Sequence, residues 1–145
     1  MTGTRYEADV VAWAREQARL LRAGRFDDLD IEHIAEEIED VGKSEQRELA
    51  SRMVVLLAHL LKWRYQSERR GNSWRRTIKV QRKDIAYLLK ESPSLKGKFN
   101  DSEWMDLIWE KAAAQAATET ELDVFPEANP WTIGEILDFD WFPDC

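Results

Sequence analysis

The chain has 145 residues, of which 43% are hydrophobic and 34% charged, with a formal net charge of -7. One domain is the expectation at this length, large enough to bury about two-thirds of its unfolded surface. The acidic total argues against a general nucleic-acid binder, whose domain is normally basic, and a lone cysteine, Cys145, cannot make an internal disulfide.

The longest apolar run, Met53 to Leu61, is interrupted by His59 and falls short of the ~18–20 residues that span a bilayer. Acids come early in the sequence and no apolar signal core follows them, so a soluble cytoplasmic protein without membrane contact is expected. Charge is laid down in blocks. Residues 1–45 carry 12 acids against 6 bases, and residues 101–145 carry 12 acids against 1 base. Between Lys62 and Lys83, nine Lys or Arg residues meet one acid, Glu68.

Sustained β-branched alternation is missing, so the elements expected are helices. The first covers roughly Tyr6 to Ala23, with Val10, Trp13, Leu20 and Leu21 on one stripe, Gln17 inside it, and Gly24 as a C-terminal stop. FDDLD reads as a turn, after which Asp30 caps a helix over Ile31–Val41 whose apolar face is Ile31, Ile34, Ala35, Ile38 and Val41. A break or kink at Gly42–Lys43, with Ser44 as a new cap, is favoured there. The alternative is an unbroken helix, because Glu45, Leu49, Met53, Leu56, Leu60 and Trp63 continue the spacing. Met53–Leu61 is apolar nearly all round, as in a central helix touched from several sides. Gly71-Asn72-Ser73 closes a loop, and Ser73 is the expected cap of a helix from Trp74 to about Lys90, ended by Ser92-Pro93-Ser94. Asn100 with Glu103 opens a helix to about Glu121, and Thr132 with Glu135 a short one ending near Leu137. The tail aromatics Phe125, Trp131, Phe139, Trp141 and Phe142 are expected to pack back on the bundle. The fold class is all-α: one helical domain over 1–145, core about 6–143, of about five helices with an aromatic-rich C-terminal tail.

EEIEDVGKSEQRELASRMVVLLAHLLKWRYQSERRGNSWRRTIKVQRKDI resembles the core signature of the bacterial domain-of-unknown-function 29 family. YEADVVAWAREQARLLRAGRFDDLD, SPSL and FPEANPWTIGEILDFDWFP fit the same pattern. The likeness runs from about Tyr6 to Pro143, and HLLKW-x-YQ-x-ERR-x-x-SW gives it specificity. It implies an all-helical bacterial protein and supplies no activity, substrate or catalytic residue.

Three constellations carry chemistry. On the Trp74–Lys90 helix, Trp74, Ile78, Gln81, Ile85, Leu88 and Leu89 share one sector. Arg75, Arg76, Lys79, Lys83 and Lys90 share the opposite one, and Arg82 sits at the border. With Arg69 and Arg70 from the preceding loop, the residues Arg69, Arg70, Arg75, Arg76, Lys79 and Lys83 form a strip able to follow a phosphate backbone, with Trp63, Tyr65 or Trp74 for stacking. The plainer reading packs these cations against the acidic blocks or leaves them solvated. On the Ile31–Val41 helix, His33, Glu36, Glu37 and Asp40 fall on one side, and such nitrogen and oxygen donors suit a divalent metal. EEIED faintly resembles the paired-carboxylate helices of all-α nucleotide pyrophosphohydrolases, which use magnesium; the second acidic pair has only a loose match in Glu119, Glu121 and Asp123. The plainer reading is a solvated acidic face.

Arg52, His59 and Gln66 lie on one strip, and Arg52 and His59 are expected as buried polar residues facing carboxylates such as Glu37. His59 then serves proton transfer or metal ligation, or is simply a hydrogen-bonded core residue. Gln17 and Gln81 read as satisfied interior polar groups. No catalytic residue is assigned: Ser-His-Asp, Cys-His and glycine-rich phosphate patterns are missing, and zinc has no paired cysteines. The leading expectation is therefore a non-enzymatic protein-interaction module that pairs with itself or a charged partner and needs no cofactor. The alternatives are nucleic-acid or polyanion binding through 69–83, and a metal-dependent hydrolase using the 33–40 cluster.

Overall fold

The computed structural model describes residues 5–144; Cys145, and with it the disulfide argument, lies outside them. The described residues are all-α. Five α-helices follow in order, α1 (Val10–Arg22), α2 (Ile31–Tyr65), α3 (Asn72–Glu91), α4 (Ser102–Thr120) and α5 (Ile133–Leu137), with 3-10 turns at Phe26–Asp28, Ser67–Arg69 and Pro93–Asn100. The chain divides into two compact units, one ending at Glu45 and one beginning at Gln46.

In the first unit, Asp9 starts α1 by accepting from the Ala12 amide at 3.1 Å. Gly24 stops it in the left-handed region, φ 73°, where a Cβ would be strained. Asp30 then opens α2, its Oδ1 taking the His33 amide at 3.5 Å. Trp13, Gln17 and Leu20 are the buried residues of α1. The apolar face expected on the start of α2 is there but uncovered: Ile31, Ile38 and Val41 are each about two-thirds exposed, at 67%, 68% and 66%.

The favoured break at Gly42–Lys43 is not found: α2 runs uninterrupted for 35 residues. One interior glycine costs a helix only about 1 kcal/mol, and the apolar spacing on both sides holds the chain in register. From Leu49 onward α2 is the central element of the second unit. Leu49, Met53, Leu56, Leu57, Ala58, Leu60 and Leu61 have no exposed surface, and each large side chain contributes about 2 kcal/mol of apolar burial. Around them pack Ile78, Ile85, Leu88 and Leu89 of α3, Leu95 of the 3-10 turn, Ile108, Trp109, Ala112 and Ala116 of α4, and Ile136 of α5.

Caps shift by a residue or two from expectation. Gly71, not Ser73, precedes α3. Asp101, not Asn100, caps α4, its Oδ1 accepting from the Trp104 amide at 3.2 Å, three residues on. Thr132 and Glu135 make the expected capping box on α5. The eight-residue 3-10 turn at Pro93–Asn100 was not expected; Pro93 starts it and Leu95 anchors it to the core.

The tail does pack back. Trp131 meets Trp109 and Trp141 edge-on at 5.6 Å each, Phe142 lies 4.6 Å from Trp63, and Phe125 lies 5.4 Å from Tyr65. Phe139 is the exception, half exposed.

Candidate functional site

The first unit joins an aromatic cluster to an open apolar groove. Tyr6 stacks on His33 with ring centres 4.2 Å apart, and its hydroxyl donates to Glu37. That bond pushes the Tyr6 pKa up to about 12, since ionising the phenol would set two anions side by side. Trp13 Nε1 donates to Asp30 Oδ2 at 2.9 Å, the same oxygen that lies 2.7 Å from His33 Nδ1. Asp30 thereby raises the His33 pKa, while its own is lowered. Gln17, expected as a satisfied interior amide, accepts from the Asp30 amide at 2.8 Å. These bonds fix α1 on the first turns of α2.

Beside the cluster opens a groove of about 240 Å³ lined by Ala14, Ala18 and Leu21 of α1 and Ile34, Ile38 and Val41 of α2, with Gln17 and Glu37 at its polar margin. Its two walls have opposite charge. From Arg15 to Arg25 the chain carries four arginines against one acid, Glu16. From Ile31 to Val41, α2 carries five acids and no Lys or Arg. Arg19 pairs with Glu16 and Arg25 with Asp28, both at 2.7 Å. Arg15 and Arg22 of α1, and Glu32 and Glu39 of α2, make no ion pair among the described residues.

Of the expected metal ligands, His33 is directed at Asp30 and at Glu7, 3.4 Å from its Nε2, and Glu37 holds Tyr6. Glu36 and Asp40 are exposed. Among the described residues no three His, Cys, Asp or Glu converge as a metal centre would.

In the second unit the basic strip divides. Arg70 donates through Nε to the Trp63 carbonyl at 2.6 Å and lies over the Trp63 ring at 5.1 Å; Arg75 lies over the same ring at 5.2 Å. Arg69, Arg75, Arg76, Lys79 and Lys83 are exposed. Two further cations of the segment are interior. Lys62, 7% exposed, donates to Glu119 at 2.5 Å and faces the Trp74 ring at 5.5 Å, which lowers the Glu119 pKa.

Arg82, placed at the border of the helix sectors by sequence, is instead 2% exposed. It donates to the Ile136 carbonyl through Nε and to the Trp141 carbonyl through Nη2, both at 2.8 Å, and lies 5.5 Å from the Phe142 ring. Burial lowers its pKa, and Asp138 and Asp140 oppose that shift. The spacing Ile78, Arg82, Ile85, Leu89 was the signal: four positions on one helical strip, three of them apolar. The strip gave no hint that the partners would be carbonyls of α5 and the tail.

Arg52 and His59, expected buried, are half-buried. Arg52 bridges Glu48 at 3.0 Å and Asp84 of α3 at 2.9 Å, rather than Glu37. His59 Nδ1 meets the Val55 carbonyl at 2.8 Å, a bond within its own helix, and burial lowers its pKa. Gln81 reaches Arg52 at 3.5 Å.

The described residues thus define an all-α protein, without a helix long and apolar enough to cross a membrane. More closely, the chain belongs to the family described as domain of unknown function DUF29, whose model matches residues 5–142. Neither the curated proteins nor the solved structures give a match.

Proposed function

We propose that this chain is a non-catalytic protein-interaction module and that residues 5–45 are its docking unit. The carrying observation is the open groove of Leu21, Ile34, Ile38 and Val41, whose rims are exposed apolar side chains grouped together. Isolated exposed apolar residues are ordinary, whereas a contiguous group flanked by charge marks an interaction surface. The interior cations of the second unit support the same reading, since Lys62 and Arg82 serve architecture there. A photo-crosslinking residue at position 38, in the full chain inside its source cell, is expected to capture a polypeptide. The same group at Val80, an exposed residue of α3, is expected to capture none. No adduct at 38, or equal yields at both positions, overturns the reading.

A second reading rests on Arg69, Arg75, Arg76, Lys79 and Lys83, the exposed part of the strip. They favour polyanion binding, with Arg70 held back against Trp63 by its bond to the carbonyl. Retention on heparin at low salt, reduced by Arg76→Glu with Lys79→Glu, is the expected result. A chain that passes through unretained removes this reading.

A further inference from the structure

The groove's two walls name its occupant. A docking surface that is apolar in the middle, with one cationic and one anionic wall, is complementary to its own copy when a two-fold axis lays each wall on the opposite wall of the other molecule. Arg15 and Arg22 are seven residues apart, so they occupy one strip of α1, next to the groove-lining Ala14, Ala18 and Leu21. Glu32 and Glu39 are likewise seven apart on α2, next to Ile31, Ala35 and Ile38. None of the four makes an ion pair among the described residues, although Arg19 and Arg25 of the same unit do. These four charges, on strips next to the apolar surface, are thus left available to a partner, as are Glu36 and Asp40 on the far side of α2.

We infer that the partner is a second copy of this chain, seated groove to groove, with α1 of each copy lying on the start of α2 of the other. Leu21, Ile38 and Val41 leave water at the centre, and Arg15 and Arg22 face the partner's Glu32 and Glu39 at the edges. The opposite arrangement, α1 on α1, sets arginines on arginines and acids on acids, and like-charge juxtaposition of this kind excludes it. The inference rests on the docking role proposed for residues 5–45 and adds the identity of the partner.

Sedimentation equilibrium on the full chain tests it with two surface variants, Arg15→Glu with Arg22→Glu, and Glu32→Arg with Glu39→Arg. Circular dichroism confirms that each keeps its helix content. The wild-type chain is expected to sediment at twice its 17.0 kDa mass. Each variant alone sets like charge on like and is expected to weaken self-association by about tenfold or more. An equimolar mixture of the two restores opposite charge at both edges and is expected to recover association as a heterodimer. A wild-type chain that is monomeric at ~100 μM, a hundred times a Kd of ~1 μM, overturns the inference. So do variants that associate as the wild type does, or a mixture that recovers nothing. If position 38 captures a different polypeptide while the chain is monomeric, the docking role stands and self-pairing fails.

Discussion

Arg82 is the residue on which the tail depends. The guanidinium is taken out of water with Nε and Nη2 donating to the Ile136 and Trp141 carbonyls and Nη1 left without a hydrogen bond, so those two bonds carry the cost of burying it. Arg82→Met keeps most of the volume and removes both bonds. It is expected to cost about 3 kcal/mol, the desolvation penalty of the orphaned carbonyls. Urea unfolding followed by tryptophan emission reads the loss, and an unchanged midpoint refutes the anchoring role. The two histidines give a second test at this scale. Asp30 raises the His33 pKa above its usual 6.5, and burial lowers that of His59 below the same value. The proton on His33 therefore stabilises the fold below pH 6.5, and that contribution is lost as pH rises through the folded pKa. His59 has the opposite sign: the unfolded chain takes its proton first, so stability falls as pH drops below 6.5. Ring-proton NMR titration is expected to place the two midpoints on opposite sides of 6.5, and Asp30→Asn to bring that of His33 down.

At the scale of elements, α2 decides most of the architecture. Its first turns belong to one unit and its last turns form the centre of the other. The spacing of Leu49, Met53, Leu56 and Leu60 makes the central role legible in the sequence, since an all-round apolar helix has nowhere to go but inside. The passage through Gly42 was legible only as the less favoured alternative, through the apolar spacing that continues past it. Local chemistry offers a stop and a fresh cap there, and the outcome turns on the summed propagation of the turns to either side. A Cβ at Gly42 would meet no atom within 4 Å, and Gly42 is not among the residues of positive φ. Gly42→Ala is accordingly expected to stabilise the chain by about 0.5–1 kcal/mol, the helix-propensity difference. A higher urea midpoint with an unchanged slope is the check; a lower one would mean that the helix needs the glycine's freedom.

Over the whole molecule, burial is shared unequally. Trp13, Gln17 and Leu20 are the buried residues of α1, and the start of α2 adds none before Leu49. The second unit holds the continuous core from Leu49 to Ile136. Regions with few buried apolar contacts open at lower free energy. Native-state hydrogen exchange is therefore expected to release helical amides in residues 10–41 well before those of 49–63, with the slowest set in the central helix. Equal protection along α2 in a monomeric sample would contradict that ranking. Self-pairing through the groove would raise protection at Ile34–Val41 with protein concentration, because a partner that binds only the folded form adds to its stability.

The sequence by itself determined the all-α class, the central helix, the returning aromatic tail and the separation of charge into blocks. Each follows from spacing and composition, which act between near neighbours along the chain. Only the tertiary structure decided which cations are architectural. Lys62, Arg70 and Arg82 are matched to Glu119, the Trp63 carbonyl and the carbonyls of α5 and the tail, partners that a helical wheel cannot rank. It also decided that Ile31, Ile38 and Val41 stay exposed. An apolar stripe states that a face avoids water, but what covers it depends on which other surfaces the folded chain brings within reach.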